Sequence, residues 1–192
     1  MVKRSLIYLL SAALCALPAC GDDEEIQEVI EGDGNGNGNG DDGDLTDSEV
    51  LGAVSVANRA EIRQAELAVE RGNAEAVTTY AEMMIEDHTT AEQRLRALAT
   101  EQGLPVEDSS VSRMLEAQSD GIEILLESLP DAEFDSAYID AQVEVHEGLL
   151  DLIDTRLIPE ASEPLIVDYL EELRDTIEEH LETALDVRDA ID

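Results

Sequence analysis

Three histidines and one glutamate fall at positions where a helix would bury them. Val77, Ala81, Met84, His88, Ala91, Leu95 and Leu98 step alternately by four and three residues, the spacing of a buried helical seam. His146 takes a place in the run Ile139, Val143, His146, Leu150, Ile153, Leu157. His180 does the same in Ile166, Tyr169, Leu173, Thr176 or Ile177, His180, Ala184 and Val187. A fourth seam, Leu51, Val54, Asn58, Glu61, Ala65 and Ala68, holds Asn58 and Glu61. An unpaired imidazole or carboxylate in a core is costly, so such groups take hydrogen-bond partners or a metal. Three imidazoles and a carboxylate make a shell suited to Fe, Zn, Mn or Cu ions. Glu61, His88, His146 and His180 are therefore the candidate ligands of a transition-metal ion. Two other readings stay open. The same side chains can form a plain hydrogen-bond network in a non-catalytic structural or interaction module, or the metal can serve a mononuclear enzyme. The enzyme reading is disfavoured, since no substrate pocket is legible and no catalytic residue is assigned.

The elements that must position these residues are helices. Thr46-Asp47-Ser48-Glu49 has the form of a capping box, and apolar periodicity then runs to about Arg71. Gly72-Asn73 predicts a tight turn with Asn73 as N-cap of a second helix, which ends at Gly103 before Pro105. Ser109 and Ser110 open a shorter helix stopped by Leu129-Pro130-Asp131. A fourth helix runs from about Ala132 to Leu157, ending at Ile158-Pro159, with Asp135 expected to cap its first turn. Ser162 is expected to cap the last helix, with Pro164 in its first turn. No stretch alternates with period two long enough to make a strand, so the fold is an all-α bundle of four long helices and one shorter connecting helix. Measured from the helix ends, the four polar seam residues are offset by only one to two helical turns, at about 1.5 Å per residue, and can meet near mid-bundle.

Composition narrows the function further. Acidic residues number 47 against 11 basic ones, giving a net charge of −36. That excess repels phosphate backbones and excludes nucleic-acid binding. The 43% hydrophobic content excludes a wholly disordered chain, and aromatics at 3% without Trp argue against a β-sandwich. A Gly-x-Ser-x-Gly elbow, a phosphate-cradling loop and a Cys-x-x-Cys-His haem site are all absent from the sequence. Tyr80, Tyr138 and Tyr169 lie on or beside the seams and are expected to pack there.

The N-terminus is an address. Residues 1–19 combine a basic start, an apolar run from Leu6 to Leu17 and a small-residue end, the pattern of a secretory signal peptide. Leu17-Pro18-Ala19-Cys20-Gly21 resembles the lipobox of bacterial lipoproteins, which implies lipidation at Cys20 and anchoring to an envelope membrane, periplasmic or outer-surface. Cys15 would be removed, leaving no thiol for a disulfide, a metal or a nucleophile. Residues 20–44 are acidic and rich in Gly and Asn, a flexible tether. Within it, Asp33-x-Asn35-x-Asn37-Gly38 with Asp41 and Asp44 matches EF-hand ligand spacing, but Gly40 stands where such loops have an apolar residue, and a solvated linker is the better reading. The helical domain then spans 45–192.

Several segments also resemble a known family. Glu61-Ile-Arg-Gln-Ala-Glu-Leu-Ala68, Tyr80-Ala-Glu-Met-Met-Ile-Glu-Asp87-His88, Phe134-Asp135-Ser-Ala-Tyr138 with His146, and His180-Leu181 are similar, in order, to motifs of domain-of-unknown-function family 4142. The resemblance covers roughly residues 46–190 and implies a ferritin-like bundle in an envelope protein, without an established chemistry. Iron-oxidising ferritin-like proteins carry Glu-x-x-His on two helices. Here Ile85, Val143 and Ile177 precede the histidines by three, which disfavours a di-iron oxidase. Asp87, beside His88, is expected to orient that histidine or the chain around it.

Overall fold

The computed structural model describes residues 43–191. The expected signal segment, Cys20 and the part of the expected tether before Gly43 lie outside the described residues. Among those described, the fold is all-α, without a strand: α1 (Asp47–Arg71), α2 (Glu75–Gln102), α3 (Ser110–Ser128), α4 (Asp131–Leu152), a π-helical turn (Ile153–Leu157), the short α5 (Ile158–Glu160) and α6 (Pro164–Ile191). None of these helices is long and apolar enough to cross a membrane.

Local chemistry explains most of the ends. Thr46 and Glu49 form the expected reciprocal capping box at α1, and Ser109 and Ser112 form another at α3. Gly103 closes α2 in the left-handed conformation, φ +67°, and donates its N–H back into the last turn. Three expected caps are built differently. Ala74, not Asn73, is the N-cap of α2 and has no side-chain cap. Asp135 supplies the missing acceptor from α4, taking the N–H groups of Asn73 at 3.0 Å and Ala74 at 2.8 Å, so it caps α2 rather than its own helix. Ser162 donates from its backbone N–H at 2.8 Å and its hydroxyl at 2.6 Å to the Asp47 carboxylate, which ties the start of α6 to the start of α1. At the starts of α2 and α6 the stronger acceptor, a carboxylate on another helix, wins over the local polar residue.

Pro159 also departs from expectation. It does not end the fourth helix; the chain stays helical through the π turn and α5 to Glu160. Proline has no N–H and its ring crowds the carbonyl one turn back. The π turn absorbs this by widening, with the Ile158 N–H reaching the Ile153 carbonyl.

The four long helices bury two apolar clusters. One joins Val50, Leu51 and Val54 of α1 to Leu95 of α2, Leu149 and Ile153 at the end of α4, and Ile166 to Ile177 of α6. The other joins Ala65 and Ala68 to Val77 through Met84, Phe134 through Val143, and Ala184. The first half of α1 thus meets the second half of α2, so α1 and α6 run one way and α2 and α4 the other. The connecting helix α3 must cross the length of the bundle, and it does, with Val111 in the first cluster and Leu126 in the second. The loop before α3 lies directly on α1: the Glu107 N–H donates to the Ser48 carbonyl, and a Cβ on Gly52 would come within 1.7 Å of the Glu107 carbonyl oxygen. Only glycine fits there.

Candidate metal centre

Between the two apolar clusters the same four helices bury polar residues: Asn58, Glu61 and Gln64 of α1, His88 of α2, Gln142 and His146 of α4, and His180 of α6. Each histidine holds the heptad position its seam assigned, so helix periodicity alone turns it inward. The shared level follows from opposed helix directions and helix lengths that match across the bundle.

The three imidazoles converge. One ring nitrogen from each lies within 4.8 Å of those of the other two, and ring centroids are 5.2 to 6.3 Å apart. The three are between 0% and 3% exposed. Each ring also has one nitrogen committed outward. His88 Nδ1 donates to the Asn58 side-chain oxygen at 3.0 Å, His146 Nδ1 to the Gln142 backbone carbonyl at 2.8 Å, and His180 Nε2 to the Asp87 carboxylate at 3.0 Å. Carbonyl and carboxylate oxygens only accept, so these contacts select the tautomers with the proton on the outward nitrogen. The remaining nitrogens, Nε2 of His88, Nε2 of His146 and Nδ1 of His180, carry lone pairs and have no hydrogen-bond partner.

Burial keeps His88 and His146 neutral. Loss of hydration drives His88 well below the usual imidazole range, with His180 and His146 adding repulsion. Burial likewise lowers His146 to about 4, against the opposing hydrogen bond to the Gln142 carbonyl. Three buried imidazoles with unpartnered inward nitrogens and outward hydrogen bonds form a donor set that can hold a metal ion.

Glu61 is buried at the same waist, at 1% exposure, but is not in the group of three. Its carboxyl is pushed up to about 7 by burial, which the Gln142 side-chain hydrogen bond only partly offsets. Its Oε2 has no partner, and the residue lines a cleft between α1, α3 and α4. Asp87 serves His180 across the α2–α6 interface rather than its neighbour His88. Of the orienting residues, Asn58 lies in the α1 seam beside Glu61, and Gln142 was the less visible. Gln142 lies four residues before His146 and shares its helix face, the one signal that could have singled it out.

Gln142 also knits the waist together. Its amide donates to Gln64 Oε1 at 3.2 Å and accepts from the Tyr80 hydroxyl at 3.4 Å. Gln64 in turn donates to Ser119 at 3.2 Å. Side-chain hydrogen bonds thus link four helices at this level.

A family model described as "Domain of unknown function (DUF4142)" matches residues 37–187. No curated protein and no solved structure matches the chain.

Proposed function

This chain belongs to the DUF4142 family, whose description states no function, and we propose its role from the site: a ferritin-like bundle that binds one transition-metal ion through His88, His146 and His180. The observation that carries this reading is the set of three inward ring nitrogens without a hydrogen-bond partner. Three lone pairs facing one another in a core repel, and buried polar atoms are otherwise almost always satisfied. A cation among them removes both penalties at once. Three protein ligands leave a further coordination position for water or a small ligand. Outward hydrogen bonds to Asn58, the Gln142 carbonyl and Asp87 would hold the rings and raise their basicity. The donor set suits Fe, Zn, Mn or Cu. Among the described residues no thiolate or bridging carboxylate pair accompanies it, so storage, buffering or stress protection fits better than oxidation chemistry.

The anchor belongs to the same proposal. The lipobox-like Cys20 would hold the domain at an envelope membrane by its lipid, with the Gly/Asn-rich segment as tether. Cys20→Ala should release the chain from the membrane fraction or block its processing; membrane retention equal to the unaltered chain contradicts an anchor at this cysteine.

Elemental analysis of the chain purified without a His-tag tests the metal reading. A stoichiometric transition metal is expected, together with a rise in thermal midpoint when metal is returned to the stripped chain, because the ion binds only the folded site. His88→Ala and His180→Ala should each lose most of the metal and the rise. Reproducible absence of metal, with no midpoint response to Fe, Zn, Mn or Cu ions, leaves the structural-module reading in its place.

A further inference from the structure

An ion held at a buried waist needs a way in, and the three imidazoles are not equally placed to provide one. His88 Nδ1 is held by Asn58 and His146 Nδ1 by the Gln142 carbonyl, on residues 1% and 0% exposed. His180 Nε2 is held instead by Asp87, whose side chain is 42% exposed, although that of His180 is only 4% exposed. Asp87 therefore links the imidazole group to solvent. The difference decides which ring can move. Turning His88 or His146 away would leave its partner oxygen short of a donor inside the core, which is costly. Turning His180 away breaks one bond to a carboxylate that water solvates at once.

The packing around Asp87 and His180 agrees. On the α1–α4 side of the bundle, α3 lies across the helices. On the opposite side α2 and α6 meet with an open groove between them, lined by Thr79, Tyr80 and Met83 of α2 and by Thr183 and Val187 of α6. Met83 lies four residues before Asp87, and Thr183 three after His180, each one turn along the same helix face. The groove thus ends at the Asp87–His180 pair. Beyond that pair the seam is latched. The Tyr169 hydroxyl donates to the Ala91 carbonyl at 3.0 Å, and Arg94 pairs with Glu172.

We propose that the transition-metal ion enters and leaves through the α2–α6 seam, taken first by the Asp87 carboxylate at the head of the groove and passed inward by rotation of His180. This route rests on the metal reading of the three histidines and adds to it a door. A hydrated dication gives up its water where protein ligands replace it, and an exposed carboxylate is the first such ligand on this path. The net charge of −36 concentrates cations outside it. His180 then takes the ion over through Nδ1, keeping its proton on Nε2, and returns to the Asp87 contact. Asp87 so has two tasks, entry ligand while His180 is turned out and orienting partner once it is turned in.

Stopped-flow uptake of cobalt(II) by the metal-stripped chain, read by the visible absorption of the imidazole-bound ion, tests the route together with release of the ion into excess chelator. Salt at about 0.3 M screens the general surface charge. Asp87→Asn keeps the shape and an acceptor for His180 but removes the charge. It should slow uptake at least about tenfold, the order expected for a dication facing one carboxylate close to a protein surface. Glu86→Gln, an equally exposed charge one residue away, should leave uptake within about twofold of the unaltered chain on the same screening argument. Thr183→Trp, which fills the groove beside His180, should slow uptake and release in the same proportion and leave the affinity unchanged. Uptake by Asp87→Asn as fast as by the unaltered chain, with release alone accelerated, would show that Asp87 only orients its histidine, and overturns the route. Equal slowing by Glu86→Gln, or unaltered rates in Thr183→Trp, overturns it as well. An unaltered chain that never develops the absorption of imidazole-bound cobalt contradicts the metal reading itself, whereas normal uptake with unmoved variant rates removes the route alone.

Discussion

At its two ends the bundle closes on side chains such as Leu51, Leu95, Phe134 and Ile166, each no more than 1% exposed, against other apolar groups. At its waist the same helices bury Glu61, His88, His146 and His180 as deeply, yet leave an acceptor or donor on every one of them unpartnered. Burial at the ends releases water from apolar surface and stabilises the fold. Burial at the waist strips polar groups of hydration and returns only part of the cost. The stability of this domain therefore resides at the ends, and the waist gives some of it back.

The largest expected effect lies at an apolar end. Phe134→Ala should destabilise the chain by about 3–5 kcal/mol in urea denaturation, since the ring is fully buried, stacked on Tyr138 and capped by the Arg71 guanidinium 4.7 Å above it. A loss under about 1 kcal/mol would mean that the end is loosely packed and the comparison wrong.

Next comes the waist carboxylate, with the opposite sign. Folding raises the Glu61 carboxyl from 4.5 to about 7, so the native chain holds a proton that the unfolded chain has released. That penalty is fully present above pH 7 and disappears below about 4.5. Glu61→Gln should therefore stabilise the chain at pH 8, by on the order of 3 kcal/mol for a shift of this size, and give no gain at pH 4.5. A gain that is the same at both pH values would show that ionisation is not the cause. The imidazoles act in reverse in the metal-free chain. Because His88 and His146 are lowered, the latter to about 4, the stability they contribute is complete above about pH 6.5 and is lost as pH falls toward 4.

Gly52→Ala tests whether the loop before α3 is part of the apolar end. Its Cβ would overlap the Glu107 carbonyl oxygen, backbone that can move only by lifting the loop from α1. A cost of about 1–3 kcal/mol is expected, and a neutral result would show that the loop detaches freely.

The smallest effect on stability should accompany the largest on binding. In the metal-stripped chain His146→Leu should change stability by no more than about 1 kcal/mol, because the hydrogen bond lost from Nδ1 to the Gln142 carbonyl is offset by removal of the unpartnered Nε2. The same variant should no longer retain metal by elemental analysis. A loss of several kcal/mol without metal would reveal a structural imidazole network and remove the contrast between waist and ends.

Much of this arrangement was legible beforehand, for reasons that differ by residue. His88, His146 and His180 sit in unbroken seams of period three and four, and that period alone sends them to the interior. The capping signals at Thr46, Ser109 and Gly103 act within a few residues of themselves, so nothing distant had to be known. Asn73, Asp135 and Ser162 were misassigned because each looked like a local cap, whereas the contacts formed join residues some 60 to 115 positions apart in sequence. The π turn past Pro159 was missed because proline reads as a stop, although the chain can widen one turn and carry on.

The sequence by itself thus determined an all-α chain, its helix limits to within a few residues and the inward direction of three imidazoles, because all of these follow from periodicity and from bonds between near neighbours. The tertiary structure alone decided that the imidazoles share one level while Glu61 stands apart beside a cleft. It also decided which nitrogen of each ring faces inward, and that Gly52 admits the backbone of the loop before α3. These depend on how helices with opposed directions are set against one another, and that setting is a property of packing across the whole bundle.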